Sequence, residues 1–195
     1  RAGIATDVAH GAVAPSLVLS ANFAFAGFGE KRAYDYTRSG NPTRDQLGDA
    51  LAALEGGAGA VVTASGMAAI TLVLNLLQPG DRLVVPHDCY GGSWRLFNAL
   101  AQKGHSELVV ADLTDPRSLA DALAVAPRLV WIETPSNPLL RITDLRFVID
   151  AAHRAGALAL VDNTFLSPGL QTPLAFGADL VLHSTTKYIN GHSDV

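Results

Sequence analysis

Asp162 closes the apolar run Ala157 to Asp162, and Lys187 follows the apolar run Asp179 to His183 by a short turn, Ser184-Thr185-Thr186-Lys187. A lysine that carries an aldehyde cofactor as a Schiff base needs an acidic partner at the pyridine nitrogen. The carboxylate keeps that nitrogen protonated, so the ring can accept electrons from a substrate carbanion. The two residues lie 25 positions apart, about one strand-crossover-strand unit, which sets them on neighbouring strand ends. Each alone has a plainer explanation. Asp162-Asn163-Thr164 could serve as a turn or helix cap, and most single lysines are solvated. S-x-x-K also marks Ser/Lys acyl-transfer enzymes, but no K-T-G element is present and Tyr188-Ile189-Asn190 directly abuts the lysine.

The phosphate of such a cofactor needs unpaired backbone N–H groups. Thr63-Ala64-Ser65-Gly66-Met67 runs from an apolar stretch into a helix start, where Gly66 lets the backbone approach an anion. Ser184 and Thr186 supply hydroxyl donors. Tyr90, in His87-Asp88-Cys89-Tyr90-Gly91-Gly92, is a candidate to stack on the ring. The polar stretch Tyr34 to Arg44 includes Arg38, suited to bidentate phosphate recognition, and could reach a neighbouring subunit. Other chemistries lack their motifs: there is no G-x-G-x-x-G, Walker A loop, H-E-x-x-H or G-x-S-x-G. Cys89 beside His87 is better explained as a passive thiol than as half of a catalytic dyad.

These residues need a scaffold. Helical patterns alternate with short apolar runs from Thr43 onward. Thr43 with Gln46 fits a capping box for a helix that places Leu47, Leu51 and Leu54 on one face and stops at Gly56-Gly57. The expected strands are Ala60 to Thr63, Arg82 to Pro86, Glu107 to Ala111, Leu129 to Glu133, Ala157 to Asp162 and Asp179 to His183. The expected helices between them run Gly66 to Leu77, from Ser93 with Trp94, Phe97, Leu100 and Ala101 inward, from Asp115-Pro116, and Asp144 to Ala155. Strands apolar on both faces imply a mostly parallel sheet with helices on both sides. Polar residues gather at the strand ends, including Ser65, His87-Asp88, Asp112, Glu133, Asp162 and His183-Ser184. Ligands bind at that carboxyl edge in open α/β sheets.

Composition narrows the class. Of 195 residues 49% are hydrophobic and 16% charged, which leaves ample material for a core. A net charge of −4 without a basic run argues against nucleic acid as a partner. The single cysteine permits no internal disulfide. No apolar run approaches the ~18 residues of a membrane helix. The expected setting is the cytoplasm. The apolar stretch Gly11 to Gly29 ends near an Ala-x-Ala site, but Asp7, Pro15, Ser16, Ser20 and Asn22 spoil a leader pattern, so it is expected to form an extended docking arm.

Taken together, Tyr36 to Arg44, Ser65-Gly66-Met67, Tyr90-Gly91-Gly92, Glu133-Thr134-Pro135-Ser136-Asn137-Pro138, Val161 to Phe165 and Ser184 to Val195 closely resemble the transsulfuration family of pyridoxal-phosphate enzymes of cysteine and methionine metabolism. Pro86 to Ser93, Pro138-Leu139-Leu140-Arg141 and Asn163 to Pro168 most resemble its bacterial γ-synthase branch. The resemblance implies the aspartate-aminotransferase-like (fold type I) α/β fold, with an N-terminal arm (1–44) docking on a neighbouring subunit and a pyridoxal 5'-phosphate-binding domain (45–195). It implies that Lys187 bonds the cofactor, Asp162 pairs with the ring nitrogen and Tyr90 stacks on the ring. Gly66, Met67, Ser184 and Thr186 hold the phosphate, joined by Tyr36 and Arg38 of the adjacent subunit. Asn137 lies near the ring oxygen and the substrate carboxylate, and Arg95 and Arg38 lie on the substrate side.

The reaction so implied is γ-replacement of an O-acyl-L-homoserine, O-succinyl in particular, by L-cysteine to give cystathionine, in a homotetramer of catalytic dimers. Lyases and sulfhydrylases of the family share nearly all of these residues. A non-catalytic nucleotide-binding α/β module is the alternative from another class. Family members are much longer, so a further C-terminal domain, carrying the main substrate-carboxylate arginine, is expected beyond this chain.

Overall fold

A computed structural model describes residues 2–5 and 7–192, which divide into two compact units, 1–62 and 63–195. In the first unit, Asn41 and Pro42 start helix α1 (Pro42–Glu55). Proline suits this position because its fixed φ is already helical and its missing N–H has no partner to lose. The cap is Asn41, whose side chain accepts from the Thr43 N–H, so the expected Thr43/Gln46 capping box does not form. Thr43 is engaged elsewhere: its Oγ1 accepts the Val18 N–H at 2.9 Å. The helix ends at Gly56 with φ of 74°, the left-handed conformation that glycine adopts without strain. Leu47 and Leu54 stay exposed within their unit. Earlier in this unit Arg38 bonds the Tyr36 hydroxyl at 2.7 Å and lies 4.7 Å above its ring, which pairs the two candidate phosphate ligands of the arm.

The expected strand Ala60 to Thr63 is absent. It pairs with nothing among the described residues, and Val61 is exposed. An apolar run forms a strand only where a partner can satisfy its N–H and C=O groups.

In the second unit, helices α2 (Gly66–Leu74), α3 (Gly91–Gln102), α4 (Pro116–Leu123) and α5 (Leu145–Arg154) alternate with strands β1 (Arg82–Pro86), β2 (Glu107–Ala111), β3 (Leu129–Glu133), β4 (Leu158–Asp162) and β5 (Leu180–Leu182). All strand pairs are parallel, in the order β2-β1-β3-β4-β5. Because side chains alternate along a strand, Val84, Val130, Ile132, Ala159 and Val161 face one layer and pack with α4 and α5. Leu83, Val85, Leu129, Trp131 and Leu160 face the other and pack with α2 and α3, where Phe97 meets Trp131 edge-on at 5.1 Å. The fold is therefore the helix-covered parallel sheet that the alternating runs imply. Trp94 departs from expectation: α3 starts at Gly91, and Trp94 faces solvent while Phe97 fills the core.

Asp115 and Asp144 cap α4 and α5, and Ser65 caps α2, each accepting backbone N–H groups. Caps of this kind contribute about 1 kcal/mol each. The strand order also decides where a ligand can enter. The chain runs from β1 outward to β2, then returns to lay β3 on the other side of β1. That reversal opens a crevice at the carboxyl ends of β1 and β3, the switch point where open α/β sheets bind ligands.

Candidate active site

A cavity of ≈ 220 Å³ opens at this carboxyl edge. Loops after β1, β3, β4 and β5, with the start of α2, form its walls. Lys187, Asp162, Tyr90, Gly66, Met67, Ser184, Thr186 and Asn137 all line it. Eight residues drawn from across the unit thus converge on one space. Arg95 does not line it; it lies on the exposed side of α3. Tyr36 and Arg38 belong to the first unit.

Asp162 forms one wall because β4 ends there. Its Oδ1 accepts the backbone N–H of Thr164 at 3.1 Å and also its hydroxyl, while Oδ2 accepts no hydrogen bond among the described residues. Burial pushes this carboxyl above its ordinary range; the Thr164 bonds and His183 pull the other way. A cation inside the cavity would restore the charged form, since opposite charge favours ionisation.

Lys187 lies on the turn after β5, which is closed by its own carbonyl accepting the Gly191 N–H at 2.7 Å. Its ammonium makes no ion pair among the described residues, and it is free to meet whatever occupies the cavity.

The start of α2 and the turn after β5 touch closely. A Cβ on Gly66 would lie 2.8 Å from Ser184 Cβ and 3.0 Å from its Oγ. Only glycine fits this approach, and it brings the first N–H groups of α2 beside the hydroxyl of Ser184. Helix N-termini with free donors bind anions. Elsewhere on the lining, Tyr90 is folded tightly over Gly92; a Cβ there would clash with Tyr90 Cε1.

Glu133, Thr164, Pro135 and Phe165 also line the cavity. Glu133 had a signal, as a polar residue at a strand end, but its task depends on a contact 43 residues distant: its Oε2 accepts the Tyr90 N–H at 2.8 Å. It is register-paired with Asp162 across β3 and β4. Burial pushes its carboxyl up to about 7, and the nearby charges of Asp162 and Asp88 add to this. Thr164 belongs to the Asp162-Asn163-Thr164 turn, and its hydroxyl links two walls, donating to Asp162 and accepting the Ser184 N–H at 2.9 Å.

A polar clamp joins loops at the same carboxyl edge of the sheet. Arg141 donates to Asp112 at 2.7 Å and to Thr114 at 2.6 Å, and its Nη1 lies 2.9 Å from His87 Nε2, so it joins the loops after β1, β2 and β3. The Thr114 and Arg141 bonds hold the Asp112 carboxyl far below the usual range. Cys89 is buried and its thiol is pushed up to about 12, first by desolvation and then by the charge of Glu133. It is a passive thiol, as its sequence context implies.

Comparison with known proteins gives a consistent result. The sequence pattern of the family described as Cys/Met metabolism PLP-dependent enzymes matches residues 1–195. Cystathionine gamma-synthase of Escherichia coli (strain K12) is 57% identical over 196 residues, covering all of this chain and 51% of that protein. The crystal structure of cystathionine gamma synthase from Xanthomonas oryzae pv. oryzae, in complex with aminoacrylate and cysteine, superposes with a TM-score of 0.97 at 78% identity, again over the whole of this chain and 51% of that one. Cystathionine beta-lyase of Lactococcus lactis subsp. cremoris is 43% identical over 193 residues, 99% of this chain and 51% of that protein. The chain thus spans about half the length of the relatives it matches, and its α/β unit is the fold type I scaffold.

Proposed function

Because the chain belongs to the Cys/Met metabolism PLP-dependent enzymes, we propose that it forms the cofactor-binding part of a γ-replacement enzyme that joins an O-acyl-L-homoserine, O-succinyl in particular, to L-cysteine and so makes cystathionine. The observation that carries this is the presence of Lys187, Asp162 and the Gly66–Ser184 contact on the walls of a single cavity.

The residues fit pyridoxal phosphate. A buried carboxylate with one oxygen free of hydrogen bonds among the described residues suits a cationic ring nitrogen. The Gly66–Ser184 contact forms a cradle for the phosphate that any side chain at position 66 would fill. A lysine without an ion pair among the described residues, on the same cavity, suits a carbonyl carbon. When bound, the cofactor supplies that electrophilic carbon and an electron-withdrawing ring.

The chain's own residues do the rest. Lys187 Nζ would hold the cofactor and, once displaced by the substrate amine, its neutral amine would take the proton from the substrate Cα. The same amine would then relay a Cβ proton, so that the Cγ–O bond breaks and the ester leaves as its carboxylate (succinate for the O-succinyl ester). Addition of the cysteine thiolate at Cγ, with protons returned to Cβ and Cα, would give cystathionine. Asp162 keeps its negative charge toward the ring nitrogen. Tyr90, on the cavity wall, would cover one face of the ring, and its hydroxyl would carry protons to or from the amine and leaving group. The N–H groups of Gly66 and Met67, with the hydroxyls of Ser184 and Thr186, would hold the phosphate, and Tyr36 and Arg38 from an adjacent copy would complete that grip. Asn137 orients the ring oxygen and substrate carboxylate, and Arg95 serves the substrate side. The working assembly is then a homotetramer built from two catalytic dimers, in the cytoplasm.

Support for the γ-replacement branch comes from the Xanthomonas oryzae relative, whose structure is also solved in complex with cystathionine. The test is to supply the complete purified protein with O-succinyl-, O-acetyl- or O-phospho-L-homoserine plus L-cysteine, and to assay cystathionine against 2-oxobutyrate. Cystathionine formed fastest from the succinyl ester is expected. Turnover of cystathionine to 2-oxobutyrate or to pyruvate, without synthesis, would assign a lyase instead.

A further inference from the structure

Glu133 stands at the end of β3, the central strand of the sheet, where it is 7% exposed. A carboxylate there costs several kcal/mol to desolvate unless its oxygens are hydrogen-bonded. One of them is: Oε2 accepts the backbone N–H of Tyr90 at 2.8 Å. Tyr90 belongs to the loop after β1 and Glu133 ends β3, the two strands that flank the switch point, and both residues line the cavity. Tyr90 is also the residue before the first turn of α3, and no side chain of its own caps that helix. An acidic group at this end therefore replaces the missing cap and complements the helix dipole.

We propose that Glu133 is a positioning residue of the site, a buried acceptor that ties the Tyr90 wall to the end of β3 and so fixes where Tyr90 stands over the cavity. It acts through the backbone N–H of Tyr90. Without it, the Tyr90 loop loses this tie to the sheet. The inference rests on the proposed function only in taking pyridoxal phosphate as the occupant.

The test uses the complete protein with pyridoxal phosphate as the probe. Cofactor affinity is measured by titration of the apoprotein, and the induced circular dichroism of the bound ring reports how its faces are packed. Glu133→Ala leaves the Tyr90 N–H without its acceptor, so affinity should fall roughly tenfold, with a weakened dichroic band. Glu133→Gln keeps an acceptor oxygen and should recover most of both signals. Wild-type affinity and an unchanged band in Glu133→Ala would overturn the proposal. So would a Glu133→Gln variant as impaired as Glu133→Ala, because charge rather than hydrogen-bond acceptance would then matter. If Glu133→Ala does not fold, Glu133→Gln decides alone: near-wild-type affinity and dichroism support the acceptor role, and their loss refutes it. Failure of the wild-type protein to bind the cofactor at all would instead sink the proposed function, a result distinct from either outcome for Glu133.

Discussion

Gly66→Ala is the smallest change that probes the cradle. The added Cβ would sit 2.8 Å from Ser184 Cβ and 3.0 Å from its Oγ, against a preferred carbon–carbon separation of about 3.5–4.0 Å. Ser184 cannot simply recede. Its N–H is bonded to Thr164 Oγ1 at 2.9 Å, and the Thr164 hydroxyl is in turn donated to Asp162. Pushing Ser184 outward therefore disturbs both the proposed phosphate end and the proposed ring-nitrogen end of the cavity. Overpacking of this kind costs about 1–3 kcal/mol, while alanine for glycine returns up to about 1 kcal/mol of helix propensity. A net loss of about 1–2 kcal/mol, expressed in cofactor binding, corresponds to a roughly 5–30-fold weaker affinity. Equilibrium titration of the apoprotein with pyridoxal phosphate reads this directly. A cycle with Ser184→Gly separates sterics from chemistry. The single Ser184→Gly variant loses a hydroxyl donor, but in the Gly66→Ala background it also removes the clash, so the two changes should couple by ~1 kcal/mol or more. Unchanged affinity in Gly66→Ala, or strict additivity in the cycle, would refute the close-approach reasoning.

Glu133 should shape the pH dependence of apoprotein stability. Its carboxyl is raised from 4.5 to about 7 in the folded state, so between those values the folded protein holds the extra proton and unfolding free energy falls as pH rises. The decline should total on the order of 3 kcal/mol; urea unfolding from pH 4.5 to 7.5 should show a shallower decline in Glu133→Gln, with buried Asp162 leaving a residual slope of the same sign. Equal slopes in both proteins would refute the assignment. Asp112 behaves oppositely: its depressed pKa gives a contribution present above the ordinary carboxylate range and lost on acidification, and Arg141→Gln should reduce that acid loss in the same unfolding series. Cys89, with its thiol pushed up to about 12, should resist iodoacetamide at pH 8 in the folded protein and react on addition of denaturant; rapid labelling of the native state would contradict its burial.

Much of the scaffold was legible because its signals are local. Asp115-Pro116 and Asp144 mark helix starts by their own side chains, and uninterrupted apolar runs such as Leu129 to Glu133 mark strands covered on both faces. Lys187, Asp162 and Tyr90 were legible as strand-end residues of the right chemistry, and the cavity brings all three together. The features without a local signal depend on distant partners. The α1 cap shifted to Asn41 because the Thr43 hydroxyl serves Val18, 25 residues away. The run at Ala60 fails as a strand for lack of a pairing edge, which no local pattern encodes. Glu133 acquires its task only when the loop after β1 folds against the end of β3. The Gly66–Ser184 contact likewise joins segments more than a hundred positions apart, and only the folded chain shows how little space separates them.

The central claim is that one lysine and one carboxylate hold a single carbonyl cofactor. Three lysines occur in the chain, Lys31, Lys103 and Lys187; Lys31 is paired with Asp35 at 3.1 Å, and Lys187 alone of the three lines the cavity. The direct test is to treat the holoprotein with borohydride, digest it and locate the reduced pyridoxyl group by mass spectrometry. The label should appear on the peptide carrying Lys187 and vanish in Lys187→Ala, with loss of the visible absorption band. A label on Lys31 or Lys103, or none on a protein that still turns over, would contradict the account.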